Sequence, residues 1–173
     1  MLAAYRRIAE RGFEGLRTRD VAAEAGVNIA TLHYYFPTKE ALIRGVLDHA
    51  MNRFRTSLPH ASQPGQLRNY LRGTRTLLMK EPELGAVMAE LALRSVRDQS
   101  IAPVLNEMYD LWHVTLRGML RRAVREGDLR SDLDSDAVAA LIIAALTSLT
   151  LPVMADPRRG DRALRQLERW LGV

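Results

Sequence analysis

Two short helical patterns joined through Gly26-Val27-Asn28 restrict the fold of this chain more than any other stretch. Thr18 offers a hydroxyl to the free amides that open the first pattern, and Asp20 lies in its first turn, where the helix dipole favours an anion. Val21, Ala22 and Ala25 supply a small apolar face. Gly26 stands where that helix must end through a positive φ, Val27 is an apolar plug behind it, and Asn28 caps the second helix. There Ile29, Leu32 and Phe36 fall at i, i+3 and i+7, on the face that packs inward. Ala30, Thr31, His33, Tyr34 and Tyr35 are left on or near the other side. Pro37 closes the pattern, and Thr38 caps a third helix beside Lys39.

A short helix with small residues and hydrogen-bonding side chains outward can enter a DNA major groove, so this pair predicts a helix-turn-helix. The run Gly-Val-Asn-Ile-Ala-Thr-Leu-His-Tyr-Tyr-Phe-Pro-Thr-Lys-Glu-Ala-Leu resembles the signature of the TetR family of bacterial transcriptional repressors. The resemblance covers roughly residues 3 to 55. It implies that Thr18, Thr31, His33, Tyr35 and Lys39 meet phosphates and that Arg19, Ile29 and Ala30 lie near base edges. Arg17, Asn28 and Tyr34 complete the expected DNA set, and Arg19 is the side chain suited to a bidentate guanine contact. His33 stands where the family usually has tyrosine. Family members also usually carry several residues, often basic, ahead of the first helix, whereas this chain starts almost inside it at Met1-Leu2. Both departures predict weaker backbone contacts.

Leu2 to Arg11 reads as a first helix, with Ala4, Tyr5, Ile8 and Ala9 on its apolar stripe, Gly12 as its stop, and Phe13 and Leu16 as anchors beyond it. Lys39 to about Leu58 reads as a longer helix with Leu42, Val46, Leu47, Ala50 and Phe54 inward. The breakers from Pro59 to Gly65 mark a linker. The expected domains are therefore a helix-turn-helix head, 1–56, and a helical ligand-binding and dimerisation body, 57–173. Helical patterns follow at about 64–80, 82–98, 101–126, 135–155 and 161–171, with Ser62 as a cap, Pro64, Pro82 and Pro103 in first turns and Gly127 ending the longest. No stretch alternates with period two, so the expected class is all-α, with about nine helices.

Several chemistries find no support. There is no cysteine, the four histidines lack metal-ligand spacing, and neither a Gly-rich phosphate loop nor a nucleophile turn is present. The expectation is no enzyme and no cofactor; the lack of cysteine and of a signal segment fits the cytoplasm. Of the formal charge of +5, most lies in residues 1–56, with nine Lys/Arg against six Asp/Glu, compared with sixteen against fourteen beyond. Ala137 to Ala155 carries no charge, yet its Thr147, Ser148, Thr150 and Pro152, and its lack of aromatic and basic flanks, argue against a membrane span. Such a helix needs cover on more than one side. Ala139, Ala140, Ala144, Ala145 and Ser148 allow close approach, and Leu164, Leu167, Trp170 and Leu171 recur on the last helix. A homodimer through 135–155 and 161–171 is expected, the same place the family resemblance implies, with a monomer's central core helix as the competing reading.

Tyr70, Met79, Met88, Leu91, Met108, Trp112, His113, Leu116 and Met119 combine flexible thioethers, aromatic rings and an imidazole, a set suited to a pocket for a hydrophobic small-molecule effector. The expected function is a ligand-responsive repressor that binds a palindromic double-stranded DNA operator as a homodimer. The alternative is a helical small-molecule-binding or enzymatic protein whose head serves only protein interaction.

Overall fold

A computed structural model of the chain describes residues 1–57, 66–148 and 156–172. Among them are nine α-helices, one 3-10 turn and no strand, in keeping with the expected all-α class: α1 (Leu2–Arg11), a 3-10 turn (Phe13–Gly15), α2 (Thr18–Glu24), α3 (Ile29–Tyr35), α4 (Lys39–Ser57), α5 (Gln66–Lys80), α6 (Pro82–Ser95), α7 (Ala102–Glu126), α8 (Ser135–Ser148) and α9 (Pro157–Leu171). Packing groups them into two compact units, Met1–Arg55 with Glu81–Glu107, and Thr56–Lys80 with Met108–Val173.

In the first unit, the stripe Ala4, Tyr5 and Ile8 of α1 is buried and packs along α6, whose own stripe is Leu84, Val87, Met88 and Leu91. Leu42, Ile43, Val46, Leu47 and Ala50 of α4 are buried in the same unit. A fully buried leucine, isoleucine or valine contributes roughly 1.5–3 kcal/mol, so these stripes rather than helix propensity hold the short helices in place. Tyr5, 4% exposed, meets His49 edge-on at 5.1 Å. Burial and the nearby Glu81 carboxylate push its phenol up to about 12, against the pull of Arg53.

In the second unit, Leu67, Tyr70 and Leu71 of α5, Leu116, Met119 and Leu120 of α7, Ala139, Ile142 and Leu146 of α8, and Leu164 and Leu171 of α9 form one buried cluster. Burial pushes the Tyr70 phenol up to about 12, with hydrogen bonds to Trp112 and Thr74 acting in the opposite direction. Ion pairs tie α5 to α9, Arg72 to Glu168 at 3.7 Å and Arg75 to Asp161. Asp134 opens α8 by accepting from the amides of Asp136 and Ala137, at 3.0 and 3.1 Å.

Several local expectations are corrected. Thr18 is the first residue of α2, and the cap position falls on Arg17 without a side-chain hydrogen bond. Ala25 and Val27 are exposed, so the plug behind Gly26 is absent, although Gly26 does take φ +65. The sixth helix ends at Ser95 rather than 98, and the last begins at Pro157 rather than 161, because Asp156 caps it by accepting from the Arg158 amide at 2.9 Å. The linker Pro59–Gly65, the Ser62 cap, the Phe54 side chain, and residues 149–155 of the uncharged stretch lie outside what is described.

Candidate nucleic-acid interface

The angle between α2 and α1 is fixed by Arg7, whose side chain is 13% exposed. Its guanidinium donates to the Gly15 carbonyl at 3.2 Å, to Asp20 at 2.9 Å and to Glu24 at 3.2 Å. One cation thus engages both carboxylates of α2. The sequence reading gave Asp20 only a dipole role. Its signal was the i, i+4 spacing of Asp20 and Glu24, which puts both carboxylates on one helix face.

The turn between α2 and α3 closes through the Val27 amide, which donates to the Ala22 carbonyl at 3.0 Å. Asn28 then caps α3, its side-chain oxygen accepting from the Ala30 amide at 2.9 Å. Leu32 is the buried residue of α3, with Ile29 and Phe36 half-buried. Thr38 opens α4 by accepting from the Ala41 amide at 3.1 Å.

Of the predicted DNA set, Arg17, Arg19, Asn28, Ala30, Thr31, His33, Tyr34, Tyr35 and Lys39 are exposed, while Thr18 and Ile29 are half-buried. Tyr34 and Tyr35 are 82% and 68% exposed and stand at 88° to each other, 5.2 Å apart. Arg17, Arg19 and Lys39 form no ion pair among the described residues.

A buttress behind the head went unread in the sequence. The Glu90 carboxylate of α6 sits over Gly12, where a Cβ would meet it at 3.0 Å, and accepts from the Phe13 amide at 3.4 Å. Gly12 holds φ +62 there, a backbone conformation that favours glycine. The Arg94 guanidinium lies 5.9 Å from the centroid of the Phe13 ring, and Arg53 of α4 pairs with Glu81 at 2.8 Å.

The predicted ligand set falls in both units, with Tyr70, Leu116, Met119 and Trp112 in one cluster of the second. Met79 is 56% exposed; Met88 and Leu91 are core residues of the first unit; Met108 and Met119 are buried; Tyr70 and Leu116 are buried in the second unit, with Trp112 packed against that cluster. Of the set, His113 lines a groove of about 560 Å³ between α7 and α8, shared with Tyr109, Asp110, Ala140, Ile143, Ala144, Thr147 and Ser148. The His113 Nε2 lies 3.1 Å from the Asp136 carbonyl oxygen, and Arg117 donates to the Asp136 carboxylate at 3.0 Å. No group of three or more His, Asp or Glu among the described residues is placed to hold a metal ion. No helix among them is long and apolar enough to cross a membrane.

Residues 1–46 match the family model "Bacterial regulatory proteins, tetR family", and residues 61–167 match "Tetracyclin repressor-like, C-terminal domain". The chain is 26% identical to the HTH-type transcriptional regulator PksA of Bacillus subtilis, over 92% of this chain and 79% of that protein. A solved structure of a TetR transcription regulator from Haloarcula marismortui superimposes with a TM-score of 0.83 at 21% identity, covering 98% of this chain and 93% of the other. A putative transcriptional regulator from Saccharomonospora viridis, solved in complex with choline, gives 0.78 at 26% identity, covering 98% and 91%.

Proposed function

Since the chain belongs to the tetR family of bacterial regulatory proteins and is a transcriptional regulator, we propose that it represses by binding a palindromic operator as a homodimer and lets go when a small molecule binds its body. The observation that carries the DNA part is the exposed, hydrogen-bonding face of α3 flanked by Arg17, Arg19 and Lys39, which form no ion pair among the described residues. In this reading Thr31, His33, Tyr35 and Lys39 grip phosphates, which sets register, and Arg19 reads a base edge. Residues 1–56 contact DNA, and 57–173 supply dimerisation and effector response.

The dimer surface we assign is α8 with α9. Ala137, Ala140, Leu141 and Ala144 are exposed on α8, Leu141 at 66%, and Trp170 on α9 at 76%. Small and apolar side chains exposed together are what a symmetric helical interface buries. The choline complex of the Saccharomonospora regulator supports an effector role for the body in this chain too. We assign the chain no catalysis and a place in the cytoplasm, where the operator lies.

Within the first unit, Glu90, Arg94 and the Arg53–Glu81 pair tie α6 and α4 to the head, so a shift of α6 would carry the head with it. A gel shift on the DNA beside its own coding region, with and without a panel of small hydrophobic and charged compounds, tests the proposal. Retention of that DNA and its release by a compound support it. Binding of every duplex alike, or of none, removes the operator reading and favours a head used for protein interaction.

A further inference from the structure

We propose that α6 pairs antiparallel with α6 of a second copy, through a face separate from the α8 and α9 contact, and so joins proteins bound at neighbouring operators; the joining step rests on the operator reading above. Leu93 and Val96 are 65% and 84% exposed. With Pro82, Ala86 and Ala89 they recur every four and three residues in alternation, the repeat of a coiled-coil seam, on the side of α6 turned away from buried Leu84, Val87, Met88 and Leu91. Val96 closes the helix at φ −65 and ψ −27, still helical, so it continues the seam. Pro82 is exposed, and Ala86 and Ala89 are half-buried. Glu90 and Arg94 stand to one side of the stripe and are engaged within the chain, by the Phe13 amide and by Asp98.

The seam is graded along its length, and the gradient selects a second copy as its occupant. Small residues lie toward its N-terminal end and large ones toward its C-terminal end, with Glu83 beside the first and Arg97 beside the last. Both ions are exposed and form no ion pair among the described residues, while the nearby Arg53 is held by Glu81 at 2.8 Å. A parallel mate would set Leu93 on Leu93 and Glu83 against Glu83. Turned end for end about a two-fold axis near Ala89, the same helix brings Leu93 onto Ala86 of the second copy, Val96 onto Pro82, and Glu83 beside Arg97. One register satisfies shape and charge together. Such an axis sets each flank of one helix against the same flank of its mate and makes every contact twice. It also sets the two Glu90 side chains near each other, and their like charges keep the contact weak.

A single helix face, about 24 Å long from Pro82 to Arg97, makes a contact smaller than the ~1,200 Å² of stable interfaces, so pairing is expected on the order of 0.1 mM rather than at micromolar concentration. Sedimentation of the full chain up to about 0.5 mM should show an association step that Leu141→Arg leaves in place and Leu93→Glu removes. Both positions are exposed, and circular dichroism melts establish that the variants fold. Glu83→Arg or Arg97→Glu alone should weaken the step several-fold, and the double variant should restore it to within about twofold, a result that does not depend on Leu93→Glu. Absence of the step in the wild type, its loss in Leu141→Arg, or a double variant no stronger than the single ones overturns the pairing. Two operators side by side raise the local concentration toward millimolar, so at one or more spacings the wild type should fill the second several-fold more tightly than the first, and Leu93→Glu should fill both alike. A wild type that fills both alike at every spacing sinks the joining role, while the sedimentation step still upholds the pairing. A chain that retains no duplex sinks the operator reading, on which the sedimentation step does not depend.

Discussion

Both α3 and α8 bury one face and leave another uncovered, yet the uncovered faces share almost no chemistry. On α3, Leu32 goes inward while Thr31, His33, Tyr34 and Tyr35 remain outside, as do Arg17, Arg19 and Lys39, which form no ion pair among the described residues. On α8, Ala139, Ile142 and Leu146 go inward, and what remains outside is Ala137, Ala140, Leu141 and Ala144. The buried halves could be exchanged for other apolar residues of similar volume with little change of fold. It is the uncovered halves that select a partner: hydrogen-bonding and cationic groups suit a polyanion, and small apolar groups suit a second helix of the same kind.

The largest effect is expected from breaking the apolar side of this contrast. Leu141→Arg places a charge where the proposed dimer excludes water, but at a position 66% exposed in the single chain, so the fold should survive. Sedimentation should show monomers, and operator affinity should fall by roughly 10²- to 10⁴-fold as linked binding of two heads is lost. Ala144→Arg should act the same way. Ala145, half-buried, is a poorer choice because folding would suffer as well.

Next comes alkaline pH, which compares the two units through one buried phenol in each. Tyr5 and Tyr70 both have values raised to about 12, chiefly by burial, against roughly 10 in an unfolded chain. The folded state holds these protons more tightly, so their contribution is intact below about pH 10 and is lost as pH rises through about 12. Each tyrosine should account for roughly 2–3 kcal/mol of that loss. Denaturant melts at pH 8 and 11.5 check this, and Tyr5→Phe or Tyr70→Phe should each flatten the dependence.

A smaller effect sharpens the polar side. Arg19→Ala should cost about 1–3 kcal/mol at one base position in each half-site, whereas Lys39→Ala or His33→Ala should weaken binding about equally for all sequences. Affinities for single-base operator variants decide between them. Unchanged base preference in Arg19→Ala would end its role as a reader.

The smallest effect concerns the two caps of the head, and it shows how much of the fold was legible. Asn28→Ala should cost about 1 kcal/mol, because its side chain caps α3, whereas Thr18→Ala should cost far less, because Thr18 lies inside α2 and caps nothing. Thermal melts of the two variants test the difference. Both residues looked like caps in the sequence. Asn28 has a turn-forming glycine two residues before it, which fixes where the helix can begin, while Thr18 has no such neighbour and the helix starts one residue early.

Local signals of this kind made the helix order and the outward side of α3 legible, since periodicity and capping act within a few residues. Contacts between distant parts were not legible. Glu90 reaches the Phe13 amide across 77 residues of sequence, and Arg7 reaches Asp20 and Glu24 from another helix. The expected ligand set was legible only in part for the same reason: Tyr70, Leu116, Met119 and Trp112 share one cluster, and Met88 and Leu91 belong to the core of the first unit. Methionine and aromatic residues mark apolar faces, but their spacing does not say which faces meet. Met79 is exposed, and Asp110, which lines the groove, is a surface aspartate that carries no periodic signal.

In the proposed repressor two uncovered faces act together, one on DNA and one on a second copy. Selection of tight binders from a pool of random duplexes, by the wild type and by Leu141→Arg, measures that directly. The wild type should enrich an inverted repeat whose half-site centres lie about one helical turn, ~34 Å, apart, and the variant should enrich at most a single half-site. An unsymmetrical motif selected by the wild type, or the same inverted repeat selected equally well by a monomeric Leu141→Arg, would contradict it.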